Sequence, residues 1–165
     1  MLQPGEGGEA GGEDAAFAHS LLLLARREYC REELRSRLIA KGFDPAATEQ
    51  ALDRLVARGY LSEARYAKAY LSSRIRRGDT PRLAAMKARQ RGVDEAVLTE
   101  AQRELESGFD NEQACSELLE KRDPSGLRFL DSKQWRKQAR YLRSKGFDAG
   151  TIIRVMRSGR RTEDA

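Results

Sequence analysis

The sequence predicts an all-α fold, an elongated tandem array of three three-helix repeats with about nine helices. Three observations predict it. A helix stop followed by a helix start recurs five times, at Gly42-Phe43-Asp44, Gly59-Tyr60-Leu61-Ser62, Gly92-Val93-Asp94, Gly108-Phe109-Asp110 and Gly146-Phe147-Asp148. The breaks are evenly spaced: 50 residues from Gly42 to Gly92, 49 from Gly59 to Gly108 and 54 from Gly92 to Gly146. No segment alternates apolar and polar residues as a half-buried strand would. Each break has a physical cause. Glycine after the last helical residue takes a left-handed conformation without a Cβ penalty, and the apolar residue that follows folds back on the last turn. Asp or Ser then accepts from the free N–H groups of the next helix. Lys41, Arg58, Arg91 and Lys145 precede four of the glycines, where a cation suits the negative end of the helix dipole.

The elements follow in order. The first repeat covers 15–61. Its first helix is predicted over 15–29 on the stripe Phe17, Leu21 and Leu24, its second over 31–40 on Leu34 and Leu38. Its third starts at Asp44 with Pro45 in the first turn and turns Ala51, Leu52, Leu55 and Val56 inward. The second repeat covers 62–109. A helix from Ser62 to about Arg77 carries Tyr66, Ala67, Tyr70 and Leu71, and Gly78 ends it. The next starts after Asp79 or Thr80 with Pro81 in its first turn; it is poor in apolar residues, with Ala84 and Ala88 where the first repeat has Leu34 and Leu38. The last, from Asp94, carries Val97, Leu98, Ala101 and Leu105. The third repeat covers 110–159. Ala114, Leu118 and Leu119 mark its first helix, and Asp123-Pro124-Ser125-Gly126 breaks it. An insertion over 127–132 lengthens the last period. Trp135, Ala139 and Leu142 mark the next helix, and Ile152, Ile153, Val155 and Met156 the last, which Gly159 ends.

Residues 1–14 hold five glycines, four acids and no Lys or Arg, and read as a disordered acidic tail; 160–165 read as a frayed end. The chain is +5, so the remainder carries +9. A basic helical body fits an acidic partner: nucleic acid, an acidic protein face or a membrane surface. No run approaches the roughly 18 apolar residues of a membrane span. The start carries no signal-peptide pattern, and Cys30 and Cys115 stand alone, which implies reduced thiols in a cytoplasmic protein.

Catalysis has no constellation to rest on. His19 lacks an orienting partner, the two cysteines read as small buried residues, no carboxylates have metal spacing, and the N-terminal Gly-Glu-Gly-Gly is not a phosphate loop. The expectation is a non-enzyme without cofactor or metal. The remaining chemistry is cationic. Arg74, Arg76 and Arg77 bunch at the end of the fourth helix, and Arg82, Lys87, Arg89 and Arg91 follow on the fifth. Arg136, Lys137, Arg140, Arg143 and Lys145 decorate the eighth, which has no acid between Gln134 and Phe147. These twelve residues are the candidate contact surface. Arg65, Lys68, Ser72 and Arg76 share one face of the fourth helix, and Arg26, Arg27, Arg31, Arg35 and Arg37 mark the first repeat. Trp135 fits an interface anchor, but at helical spacing with Ala139 and Leu142 it reads first as core.

The stretch Leu55-Val-Ala-Arg-Gly59-Tyr60-Leu61-Ser62-Glu63-Ala64-Arg65-Tyr66-Ala67, with Ala69-Tyr70 and Arg74 to Gly78, resembles the signature of the RecX regulatory proteins. Glu33-Leu34 and Leu38 before Lys41-Gly42-Phe43 resemble that family's first unit, Arg82-Leu83 through Arg91-Gly92-Val93 its second, and Tyr141-Leu142 with Lys145-Gly146-Phe147 its third. The structural signature is thus Gly42, Gly59, Tyr60, Leu61, Arg65, Tyr66, Ala67, Gly92 and Gly146. The resemblance implies a cytoplasmic, monomeric modulator of homologous recombination, DNA repair and the SOS response. Such proteins bind in the groove of the RecA–single-stranded-DNA filament and restrain its ATP hydrolysis, strand exchange and coprotease activity. Contact with single-stranded DNA would be weak or indirect. A second reading is a stand-alone DNA-binding regulator, with the second and third helices as a helix-turn-helix.

Overall fold

The computed structural model describes residues 11–158. Among them lie nine α-helices and no strand: α1 (Glu13–Leu24), α2 (Arg31–Ala40), α3 (Pro45–Ala57), α4 (Glu63–Arg76), α5 (Pro81–Arg89), α6 (Glu95–Glu106), α7 (Asn111–Arg122), α8 (Ser132–Ser144) and α9 (Ala149–Arg157), with a 3-10 turn at Leu127–Phe129 before α8. The expectations for 1–10, Gly159 and 160–165 fall outside the described residues. The starts are capped as the sequence requires. Side chains of Asp44, Ser62, Asp94, Asp110 and Asp148 accept from backbone N–H groups of Ala47, Arg65, Val97, Gln113 and Thr151. Thr80, not Asp79, caps α5, accepting from the Leu83 N–H. Of the five glycine stops, Gly42, Gly59, Gly92 and Gly146 are left-handed. Gly108 is not, contrary to expectation. There Ser107 Oγ donates to the Glu104 carbonyl at 2.7 Å, which serves the end of α6 without a left-handed residue.

The described residues fall into two compact units, 11–69 with 88–98 and 70–87 with 99–158. In the first, α1 and α2 pack on α3 around Leu34, Leu38, Ala51, Leu52, Leu55 and Leu61, with Ala16 and Phe17. Val56, expected inward, is exposed; it lies one residue off the Leu52–Leu55 stripe, on the flank. α1 also departs from expectation at both ends. It starts at Glu13, inside the segment read as tail, and Glu13 and Asp14 pair with Arg54 at 3.5 and 2.7 Å. It stops at Leu24, not at Tyr29, because the Arg26 N–H turns back to the Leu23 carbonyl and Tyr29 turns inward. The Arg27 guanidinium lies 3.8 Å over the Tyr29 ring and pairs with Glu33 at 2.6 Å, pinning this corner. Arg65 of the signature donates to the Gly59 and Tyr60 carbonyls and pairs with Glu28. Tyr66 and Ala67 are core, whereas Tyr60 is half-exposed, its ring edge-on to Phe17.

The second unit has two buried anchors. α7, α8 and α9 close on one another around Cys115, Leu119, Leu142, Phe147, Ile152, Val155 and Met156. Ile153, read with that set, is 43% exposed. Beside this core the Asp79 side chain is fully buried. Arg74 reaches it at 2.6 Å, Lys87 at 2.8 Å and Lys145 at 3.6 Å, so one carboxylate gathers the ends of α4, α5 and α8. Burial alone would raise the Asp79 carboxyl, but hydrogen bonds from Lys87 and Arg74 outweigh it and the net shift is downward. The Thr80 N–H donates to the Lys145 carbonyl at 2.9 Å. At Gly146, with φ +96°, a Cβ would lie 2.3 Å from Thr80 Oγ1, so only glycine allows this approach. The insertion folds on the same logic: buried Asp123 accepts from the Leu127 and Arg128 N–H groups and from the Arg128 guanidinium. The apolar-poor α5 packs on small residues, with Ala84, Ala85 and Ala88 fully or nearly fully buried.

Replacing Asp79 by Ala removes the anion shared by three partly buried cations; it is expected to lower stability by about 2–4 kcal/mol, read as a drop in urea midpoint at unchanged m. The Glu49 carboxyl, hydrogen-bonded by Arg35 and then Arg31, is held down at about 2. A depressed native value means that the unfolded chain takes up the proton first. The stabilisation is therefore complete above the ordinary carboxylate range and is lost as pH falls from 4.5 toward about 2. At 43% exposure solvent screens the pairs, so the effect is modest. Glu49→Gln is expected to flatten the loss of melting temperature over that interval.

Candidate functional site

The cations singled out from the sequence separate into two groups once their neighbours are known. Arg74, Lys87 and Lys145 are spent on Asp79, and Lys145 also donates to the Arg77 carbonyl at 3.1 Å. Arg89 is held by both oxygens of Glu95, at 2.6 and 2.7 Å. Arg91 is exposed, and its charge partly offsets the burial that pushes the Tyr66 hydroxyl up to about 12. These charges are compensated or engaged inside the fold. Arg76, Arg77 and Arg82 are exposed near the α4–α5 turn. Arg136, Lys137, Arg140 and Arg143 are exposed on α8, and none of them makes an ion pair among the described residues.

α8 carries five cations and no acid. Lys133, Arg136, Arg140 and Arg143 stand at spacings of 3, 4 and 3, so they form one ridge about 15 Å long at 1.5 Å per residue. The ridge borders a groove of about 560 Å³ between α8 and α9, lined by those four side chains and by Trp135, Ala139, Ala149, Ile152 and Ile153. The core places it. Leu142 and Gln138 turn one face of α8 inward, and Thr151, Ile152, Val155 and Met156 do the same for α9. Trp135 is half-buried: its ring packs on the core and also lines the groove, so the two roles weighed for it are joined. The Arg136 guanidinium is steadied by the Ser132 carbonyl and hydroxyl at 3.1 and 3.2 Å. The result is an apolar floor with a wholly cationic rim.

Nothing comparable gathers around a reactive group. Cys115 is buried and its thiol is pushed up to about 11, and burial likewise raises Cys30. His19 sits beside the Phe43 ring, its centroid 5.7 Å away, and burial followed by Lys41 lowers its pKa. Among the described residues no group of three His, Cys, Asp or Glu side chains is placed to hold a metal ion, and no helix is long and apolar enough to cross a membrane.

Three family descriptions match the chain in sequence order: RecX first three-helix domain over 16–55, second over 62–101 and third over 110–156. The chain belongs to the RecX family. The regulatory protein RecX of Pseudomonas tolaasii is 39% identical over 142 residues, 86% of this chain and 89% of that protein. The RecX of Halorhodospira halophila is 34% identical over 145 residues, 87% and 88% of the two chains. The crystal structure of RecX from Lactobacillus salivarius has the same fold, with a TM-score of 0.70 at 16% identity over 88% of this chain and 95% of that one. The all-α architecture of three tandem three-helix domains is that of the family.

The groove belongs to the third RecX domain. Three of its lining residues are not legible as such in the sequence. Lys133 lies one position before the acid-free stretch read from Gln134, though its spacing of three from Arg136 could have added it. Ala149 and Ile153 are ordinary helix residues in sequence and gain a role only where α9 lies beside α8. Asp79 was visible as a helix-boundary acid, but its three partners, one of them on α8, were not. For the α2–α3 pair of the first domain the outcome differs. Arg31 and Arg35 bind Glu49, with Asp53 and Glu32 as further partners, so two of the cations that α2 would offer to duplex DNA are already paired.

Proposed function

We propose that this chain is a non-catalytic regulator that binds the RecA–single-stranded-DNA filament and restrains RecA ATP hydrolysis, strand exchange and coprotease activity. Family membership supports the regulatory role, and its relatives carry the name regulatory protein RecX. The observation that carries the contact proposal is the unpaired cationic face of α8, with Arg136, Lys137, Arg140 and Arg143 free of acids. A RecA filament wound on DNA presents phosphates and acidic protein faces, and such a ridge is drawn to both. Arg76, Arg77 and Arg82 form the secondary contact. Arg74, Lys87 and Lys145 serve the contact indirectly, by fixing the elements that display it. Inhibition follows from bridging: a body held across neighbouring subunits opposes the rearrangements that accompany nucleotide turnover. The reading places the protein in the cytoplasm, as a monomer, with DNA contact weak or indirect.

The test is RecA ATPase on single-stranded DNA with added full-length chain. Inhibition at amounts stoichiometric with RecA or below is expected, and its absence at stoichiometry refutes the proposal. The combined change Arg136→Ala, Lys137→Ala, Arg140→Ala is expected to raise the half-inhibitory concentration at least about tenfold, by loss of more than about 1.4 kcal/mol of contact energy. Circular dichroism should show unchanged helicity, because all three side chains are exposed. Glu49→Ala on the ion-paired α2–α3 face should leave inhibition within about twofold, since surface pairs contribute little.

A further inference from the structure

The rim and floor of the α8–α9 groove specify what it takes. All four charged groups on the rim, Lys133, Arg136, Arg140 and Arg143, come from α8. The α9 side offers Ala149, Ile152 and Ile153, which are uncharged. An occupant that satisfies both sides is apolar along one stripe and acidic along a single edge. The ridge repeats every three or four residues, about 4.5–6 Å along the axis. Glutamates at i, i+3, i+7 and i+10 of a docked helix repeat at the same interval. The floor argues for a helix as well. Its lining alternates the small Ala139 and Ala149 with the larger Trp135, Ile152 and Ile153, and an apolar groove of this make-up suits aliphatic side chains spaced i, i+4, i+7. Single-stranded nucleic acid would meet the ridge but not the floor, because base stacking needs successive aromatic faces and Trp135 is the chain's single tryptophan and the groove's one aromatic.

We propose that the α8–α9 groove is a docking site for an acidic amphipathic helical segment of a partner protein, seated with its aliphatic stripe on Trp135 and Ile153 and its carboxylates along Arg136 and Arg140. The proposal deepens the filament reading by naming the chemistry of the contact, and it rests on that reading only for which protein supplies the segment. The charge asymmetry fixes orientation. A helix with acids on the α9-facing edge would leave its carboxylates over Ile153 and Ala149 and its apolar edge against guanidinium groups.

The test uses the full chain and Trp135 as reporter, since no other tryptophan contributes emission. The probe is a stapled helical peptide of about 15 residues with leucines on one stripe and glutamates on one flanking edge. The controls are the same peptide with lysine for glutamate and an oligo-dT of similar length. A saturable blue shift of Trp135 emission with the acidic peptide alone is expected. Its dissociation constant should rise at least about tenfold in Arg136→Ala/Arg140→Ala and in Ile153→Glu. These side chains are exposed, and unchanged circular dichroism certifies the fold of each variant. No saturable shift, an equal shift with the lysine peptide, or tighter binding of oligo-dT at the same residues each overturns the proposal; the last would make the groove a nucleic-acid subsite. RecA ATPase inhibition by the same preparation separates the two readings. Inhibition without peptide binding overturns the groove and spares the filament reading, and peptide binding without inhibition does the reverse.

Discussion

The second unit depends on one buried carboxylate. Asp79 follows directly on a left-handed glycine, so the chain leaves α4 with the side chain already turned inward. There it draws in a guanidinium and two ammonium groups from three helices. A lone buried anion would be intolerable, and three mutually repelling cations without it would splay the structure. Together they set where α8 ends relative to α5, and the Lys145 carbonyl bond to the Thr80 N–H and the bare Gly146 backbone complete the junction. α8 can display an outward ridge because its inward end is fixed there.

Much of this architecture is legible in the sequence, for a local reason. The stop at Gly42 and the cap at Asp44 are decided by a few neighbouring residues, and side-chain caps do form at all five expected starts. Where legibility fails, a non-local contact has intervened. α1 stops early because Tyr29 is claimed by the core and by Arg27, and Glu13 and Asp14 join it because Arg54 waits on α3. Gly108 shows the limit of the motif itself, since a serine one residue earlier meets the same need by hydrogen bonding.

The candidate surface was legible as a class of residue rather than as a set. With 31 cations against 26 acids, many basic side chains can find a carboxylate to meet, and sequence does not say which. Arg89 looks like Arg140 in one dimension; in three, one is gripped by Glu95 and the other faces solvent. The absence of acids along α8 was the one signal that survived, because a helix with no anion of its own cannot neutralise itself at i, i+4. The groove beneath was not readable at all, since it exists only where α9 crosses beside α8.

That same acid-free helix has a thermodynamic side. Five like charges on thirteen residues repel one another, the first of them sits at the end of the helix dipole that disfavours cations, and the Asp131 cap is a local counterweight there. α8 therefore owes its order to packing and to the Asp79 junction at its end, and the repulsion along its ridge works against it. Any polyanion that settles on the ridge removes this internal stress as well as adding contacts. Occupancy and backbone rigidity are then two readings of a single equilibrium: the ligand stiffens the helix it binds, and ambient salt, by screening the repulsion, mimics a part of that effect while weakening the attachment.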